Sequence, residues 1–143
     1  MKVAVALLAA TFVALANASL PTCRCGAFIT VNTVEYEVYE LPPFEDIDCD
    51  TPNACRARCK KEFEKATGDG DLNHDLPNGY TVGQEICIAM SNHHGLHNVR
   101  DEPVYSYFNL CDTLWQYDGE TSTNNLCCHE GHYHDCDSPP PQN

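Results

Sequence analysis

The chain has 143 residues, of which 21 are acidic and 8 are Lys or Arg, so its formal net charge is −13 at pH 7. A length this short allows one domain or at most two very small ones. A strongly acidic chain is poorly suited to bind nucleic acid or an anionic membrane surface, because both present phosphates that Lys and Arg must hold. The hydrophobic fraction of 43% excludes a fully disordered chain.

The first 18 residues have the features of a secretory signal peptide. Lys2 gives a basic start, residues 3–15 form an apolar run, and residues 16–18 (Ala-Asn-Ala) match a small-x-small cleavage site. The alternative is a retained N-terminal anchor, but the run is short for a membrane span and no second one follows. We predict a signal peptide over 1–18 and a mature chain that starts at Ser19. Its charge is −14, because Lys2 is lost.

The first element of the mature chain is a predicted strand over residues 27–41. Val34, Tyr36 and Val38 alternate with glutamates, which is the period of a strand with one wet face. Two prolines end this strand, and an acidic loop follows. Seven acidic residues lie within residues 35–50. Such a run can attract cations or basic partners, although it more often only keeps a secreted protein soluble.

The clearest helix signal covers residues 51–67. Asp50 or Thr51 can cap its start, Pro52 suits its first turn, and Gly68 can end it. Spacings of four, four and three place one stripe toward the core, formed by Cys55, Cys59, Phe63 and Ala66. The other faces of the helix carry five basic residues, which we interpret as solvated surface. The alternative is that they form a docking face for an acidic partner. These residues are Arg56, Arg58, Lys60, Lys61 and Lys65.

The second half of the chain predicts one more helix and several strands. Residues 67–80 read as a polar loop. Residues 83–91 allow a second short helix, which Gly95 would end, with an inward side made of Ile86, Cys87 and Met90. Residues 103–111 predict a strand with Val104, Phe108 and Leu110 on one side and with Tyr105, Tyr107 and Cys111 on the other.

The last predicted elements are a turn and a hairpin. The extended stretch 113–117 leads to Asp118-Gly119, a turn signal. A strand over 126–128 turns at Glu130-Gly131 and returns to Cys136. The whole pattern predicts an α+β fold: a small disulfide-rich domain over 19–136, with one main helix and a second short one packed on a small antiparallel sheet. A Pro-rich disordered tail is predicted over 137–143.

All ten cysteines lie after the predicted cleavage site, and five disulfide bonds are the expected outcome in the oxidising secretory path. Zinc is the alternative, but C-x-C, C-x3-C and C-C are not the paired C-x2-C knuckles of structural zinc sites. The pairing cannot be read from the sequence. Six of the cysteines form three close pairs, or doublets: Cys23 and Cys25, Cys55 and Cys59, and Cys127 and Cys128. The two side chains of a doublet share a face or are adjacent, so we expect each doublet to connect its segment to two other places. The disulfide cysteines are Cys23, Cys25, Cys49, Cys55, Cys59, Cys87, Cys111, Cys127, Cys128 and Cys136.

Two polar segments are candidate metal sites. Residues 69–75 (DGDLNHD) resemble the start of an EF-hand loop, but His74 replaces its glycine and Tyr80 replaces its last ligand. Histidines can hold zinc or copper, and they lie in two groups. These groups are His93, His94 and His97, and His129, His132 and His134. We expect solvated side chains in both segments, with weak divalent cation binding as the alternative, and we predict no cofactor.

No nucleophile motif stands out, so the sequence predicts a protein without enzyme activity. It contains no G-x-S-x-G and no compelling Ser/His/Asp spacing. His129-Glu130-Gly131-His132 is one residue short of H-E-x-x-H. Pairs of carboxylates carry no information in a chain with 21 acidic residues.

The cysteine frame as a whole resembles a known family. Residues 23–28 (CRCGAF) open it, a C-x3-C helix and a lone Cys87 follow, and residues 104–136 (VYSYFNLC…LCCHEGHYHDC) close it. This frame resembles the secreted arthropod proteins called follicle cell protein 3C-like. The residues that match their pattern in the closing segment are Asn109, Cys111, Trp115, Asn125, Leu126, Cys127, Cys128, Tyr133 and Cys136. The acidic loop before Cys87 and the two residues between Tyr133 and Cys136 depart from that pattern.

The resemblance implies a secreted reproductive or eggshell-associated protein without enzyme activity, and it transfers no binding residues. We expect a secreted, extracellular protein that acts by binding another macromolecule, a protein partner, in reproductive fluid, eggshell or other matrix. One alternative is a secreted effector, such as a venom component or a protease inhibitor. The other is a cation-binding matrix protein that uses its acidic runs and histidines.

Overall fold

The computed structural model describes residues 21–142, so the predicted signal peptide lies outside the described residues. Helices and strands follow in this order: β1 (Cys23–Val31), β2 (Val34–Glu40), α1 (Pro52–Thr67), α2 (Val82–His94), β3 (Val99–Glu102), β4 (Val104–Leu110), β5 (Gln116–Thr121), β6 (Leu126–His129) and β7 (His132–His134). The predicted α+β, disulfide-rich fold is confirmed, with two helices and antiparallel sheets.

The strands form two antiparallel sheets rather than the single sheet that we predicted. The larger sheet has the order β2-β1-β4-β5, and the smaller one has the order β3-β6-β7. Helix α1 packs against β1, β4 and β5, whereas α2 packs against β2, β6 and β7. Both helices therefore cover one face of the larger sheet, and α2 also joins it to the smaller sheet.

The single strand predicted over 27–41 is wrong, because the chain reverses within it. Asn32 and Thr33 adopt positive φ angles of 50° and 68° and form the two-residue turn between β1 and β2. Two positive φ angles give the turn twist that suits an antiparallel hairpin. Asn tolerates this conformation, but β-branched Thr rarely adopts it, and the turn is therefore hard to recognise from the sequence.

Helix α1 begins and ends close to the predicted residues. Thr51 is its N-cap residue, Pro52 starts it, and Gly68 ends it with a left-handed φ of 58°. The predicted stripe needs one correction, because Thr67 is buried where Ala66 was expected. The Thr67 hydroxyl donates to the Phe63 carbonyl and accepts from the Gly70 amide, both at 2.7 Å, so its burial leaves no unpaired polar atom.

Helix α2 is confirmed, with Ile86, Cys87 and Met90 buried and a left-handed Gly95 after its last residue. The turn predicted at Asp118-Gly119 is wrong, because both residues lie within β5.

The buried carboxylate of Asp118 accepts hydrogen bonds from groups within the protein. Asp118 is only 2% exposed, and its carboxylate accepts from the Ser106 hydroxyl at 2.5 Å and from the Glu120 amide at 2.8 Å. Desolvation raises the pKa of Asp118, although the Ser106 hydrogen bond opposes this effect.

All ten cysteines form disulfide bonds, and the pairing corrects one expectation. Cys23 bonds to Cys55, and Cys25 to Cys59, so these two doublets clamp each other and join β1 to α1 twice. The C-C doublet does reach two places, because Cys127 and Cys128 have different partners. The remaining bonds are Cys49–Cys111, Cys87–Cys128 and Cys127–Cys136.

Candidate binding face

The four-stranded sheet has an inner face toward the helices and an outer face that neither helix covers within residues 21–142. Alternation along β1 sends Cys23, Cys25 and Ala27 inward, where the cysteines bond to α1. The outer face is rich in aromatic residues. We define the aromatic face as Arg24, Phe28, Glu35, Glu37, Glu40, Tyr105, Tyr107, Trp115 and Tyr117.

The rings of the aromatic face form one connected group. The ring centre of Phe28 lies 5.0 Å from that of Tyr107 and 5.1 Å from that of Trp115. Tyr117 continues the group, with centroid distances of 5.7 Å to Tyr105 and 6.0 Å to Tyr107. Phe28 is buried beneath the others, whereas Tyr117 is 44% exposed. The result is a packed aromatic surface that is partly exposed to solvent.

Trp115 is held in place from three sides. It packs over Gly26, where an added Cβ would lie 3.2 Å from the indole ring. The guanidinium of Arg24 lies 5.0 Å from the ring centre, a cation–π distance. The loop that carries Trp115 is tied by the Cys49–Cys111 disulfide and by the amide of buried Asn109, which donates to the Thr113 carbonyl. A pre-ordered side chain loses little entropy on binding.

Carboxylates border the aromatic face along β2. Glu40 forms a bidentate ion pair with Arg24, at 2.5 and 2.9 Å, and this contact lowers the pKa of Glu40. Glu35 accepts a hydrogen bond of 2.8 Å from the Tyr107 hydroxyl. Desolvation and then the charge of Glu40 raise the pKa of Glu37. The face thus has three glutamates against one arginine, which is already paired.

The loop beside the aromatic face exposes an unusual amount of apolar surface. Leu114 is 84% exposed, more than the other large hydrophobic side chains of the described chain. It immediately precedes Trp115, so an apolar side chain and an aromatic platform lie next to each other. Contiguous exposed apolar surface bordered by polar groups is typical of interaction sites.

The acidic loop over 69–75 does not assemble a calcium site in the described chain. The Asp71 carboxylate instead accepts from the Asn73 amide at 2.9 Å, and Leu72 is fully buried between the polar residues. Across residues 21–142, the one group of three His, Cys, Asp or Glu ligand atoms within 4.8 Å is that of Cys23, Cys25 and Cys59. These three sulfurs are all in disulfide bonds.

The two predicted histidine groups are not brought together as ligand sets. His94 bonds to the Glu37 carbonyl at 2.7 Å, whereas His97 bonds to the Ser91 hydroxyl at 2.6 Å. In the second group, His134 bonds to the Asp135 carbonyl at 2.8 Å. These three rings therefore serve separate local contacts.

Three of the five basic side chains of α1 have partners within the protein: Arg56, Arg58 and Lys60. Arg56 donates to the Asp118 carbonyl at 2.8 Å, and Lys60 pairs with Glu120 at 2.6 Å. Arg58 pairs with Glu62 at 3.0 Å, and its guanidinium lies 4.1 Å from the ring centre of Phe44. These contacts fasten α1 to its surroundings and weaken the hypothesis that the helix docks an acidic partner.

The aromatic face was missed at the level of the sequence, although part of its signal was visible. Alternation placed Tyr105 and Tyr107 on one side of the strand over 103–111. Their neighbours Phe28, Trp115 and Tyr117 come from other segments, and only the pairing of β4 with β1 and β5 brings them together.

Comparisons with protein-family models, with curated proteins and with solved structures find no match for this chain. Neither helix of the described chain is long and apolar enough to cross a membrane. Five disulfide bonds in a domain of this size indicate a small extracellular cysteine-rich protein.

Proposed function

We propose that the protein is secreted and acts outside the cell, without enzyme activity, by binding a protein partner through the aromatic face. The aromatic face itself is the observation that carries this proposal. Tyr and Trp side chains are enriched among the residues that dominate binding energy at protein interfaces. The disulfide bonds support the role, because they hold the sheet rigid while it presents these rings.

The partner surface that fits best is a positively charged one. Lys and Arg side chains can contact the aromatic rings through cation–π interactions and can pair with Glu35 and Glu37 at the border. The net charge of the mature chain, −14, attracts such a partner at long range and speeds its association. Leu114 would add apolar contact at one end of the interface.

The proposal also includes secretion of the protein and the tissue in which it acts. The apolar start of the chain supports cleavage before Ser19, and protein secreted from eukaryotic cells should begin at that residue when analysed by mass spectrometry. The resemblance of the cysteine frame supports a role in reproductive fluid, eggshell or matrix. Expression restricted to a venom gland would instead favour a secreted effector.

The binding proposal is tested with a deca-arginine peptide as a stand-in for a basic partner. We expect Tyr117→Ser to weaken peptide binding about tenfold, measured by calorimetry at fixed salt. The matched control is Tyr80→Ser, because Tyr80 is similarly exposed, at 50% against 44% for Tyr117, but lies in the loop before α2. Glu37→Gln should likewise weaken binding more than Glu45→Gln does.

Two results would refute this binding mode. Equal affinities for the two tyrosine variants would mean that the acidic chain attracts the peptide without using the aromatic face. Tighter binding of an N-acetylglucosamine oligomer than of the peptide, lost on Tyr117→Ser, would mean that the face binds glycans instead of basic proteins.

A further inference from the structure

A second candidate site, separate from the aromatic face, lies on the opposite side of the sheet between the two helices. Because α1 and α2 rest on different strands, they leave an open cavity of about 440 Å³ above the inner face of the sheet. Cavities of this size hold small organic ligands in many proteins. None of the residues of the aromatic face lines this cavity.

The floor and walls of the cavity are apolar. Ala27 and Val38 come from the sheet, Phe63 from α1, and Val82 and Ile86 from α2. Three side chains with hydroxyl groups also line it: Tyr39, which is 54% exposed, and Ser106 and Thr67, whose hydroxyls are already used within the protein. Ser106 donates to Asp118, and Thr67 bonds to the backbone. The interior therefore suits a hydrocarbon chain better than a polar group.

The polar groups of the cavity lining include two carboxylates, one from each helix. Glu62 lies on α1, where it pairs with Arg58 at 3.0 Å. Glu85 lies on α2 and accepts from the Asn78 amide at 2.5 Å. The lining contains no Lys or Arg side chain, and its one basic residue is His93. This arrangement opposes a ligand with a carboxylate head and favours one with a positive charge.

We propose that this cavity binds a single-chain amphiphile with a hydrocarbon body and a protonated amine head. The body would replace water against Val38, Phe63 and Ile86, which provides the hydrophobic part of the affinity. The amine would lie between Glu62 and Glu85, where it can donate charge-assisted hydrogen bonds.

The test compares three probes with the same chain length, decylamine, decanol and decanoate, each kept below its micelle concentration. Titration calorimetry should show that decylamine binds most tightly and that decanoate binds at least about tenfold more weakly. Changing both Glu62→Gln and Glu85→Gln should bring decylamine to the affinity of decanol. Glu102→Gln, on β3, is the matched control and should change nothing.

A second set of variants fills the cavity rather than changing its charge. Ala89→Trp on α2 and Ala66→Trp on α1 each place a large ring in the lining, and each should weaken decylamine binding at least about tenfold. Two independent positions separate this effect from a folding defect, which circular dichroism also checks. The aromatic-face variant Tyr117→Ser should bind decylamine normally.

Three outcomes would overturn the proposal. Decanoate could bind as tightly as decylamine, which would remove the role of the carboxylates. Decylamine binding could be insensitive to both Trp variants, which would mean simple pairing with the acidic surface. Sedimentation could instead show a dimer that Ala89→Trp converts to monomers, which would make the cavity an interface between two copies of the chain.

Discussion

The two disulfide bonds between β1 and α1 predict a specific form of non-additive stability. Cys23–Cys55 has a sequence separation of 32 residues and Cys25–Cys59 one of 34, so either bond alone closes nearly the same loop. Once one bond exists, the other closes only a ring of about eight residues. The second bond therefore restricts the unfolded chain much less than the first.

The chain-entropy relation gives the sizes of these two effects. Closing the long loop stabilises the fold by about 4 kcal/mol, and closing the small ring adds about 2.5 kcal/mol. Replacing either cysteine pair by Ala should lower the free energy of unfolding by about 2.5 kcal/mol. Replacing both pairs should lower it by about 6 kcal/mol, which exceeds the sum of the two separate losses.

Urea unfolding followed by circular dichroism and by the fluorescence of the single tryptophan measures these losses. The control is removal of Cys127–Cys136, whose loss should add to that of either β1–α1 bond. A loss of about 4 kcal/mol for each β1–α1 bond, with simple addition when both are removed, would refute the reasoning. It would mean that the two bonds do not join the same two segments.

Three further predictions concern single side chains. Gly83→Ala should lower the free energy of unfolding by about 1–3 kcal/mol despite the better helix propensity of Ala, because its Cβ would lie 2.6 Å from the Tyr133 ring. Thermal melting should show this loss, and a Tyr133→Ala background should abolish it. Asp118→Asn should alter the pH dependence of unfolding: the raised pKa of Asp118 means that its stabilising contribution is complete below its ordinary value of 3.8 and is lost as pH rises through the folded-state pKa. The variant should therefore gain stability relative to the parent protein as the pH rises above 3.8, and a constant difference would contradict this. Burial and then the Glu35 hydrogen bond raise the pKa of Tyr107 to about 12, so Glu35→Gln should lower that pKa toward 10, followed by phenolate absorbance; an unchanged titration would argue against the contact.

Local signals in the sequence were sufficient to locate the ends of the two helices. Thr51, Pro52 and Gly68 mark the ends of α1, and Gly95 ends α2. The terminal hairpin was also predictable, because Glu130-Gly131 supplies a turn between two short alternating segments. In each case residues within one turn of the chain determine the structure, so no distant contact is needed.

The features that were not predicted depend on contacts between distant segments. Asp118-Gly119 reads locally as a turn, but the Ser106 hydroxyl and the Glu120 amide satisfy its carboxylate within a strand. The pairing of Cys23 with Cys55 likewise follows from the docking of α1 on β1. Sequence spacing alone leaves many pairings open.

The same limit explains why the aromatic face was missed. Its rings come from β1, β4, β5 and the loop before β5, and the register between these strands brings them into contact. The cavity between the helices is even harder to predict from the sequence, because it is the space left where α1 and α2 pack on different strands. An alternating strand shows which residues share a side, but it does not show what covers that side.

The most direct test of the central claim is a nuclear magnetic resonance titration of the secreted protein with the deca-arginine peptide. If the aromatic face is the binding surface, the largest shifts should fall on β1, β4 and β5 and on the indole of Trp115, while α2 changes little. Shifts that spread evenly over the acidic surface, or that concentrate on the helices, would contradict the claim.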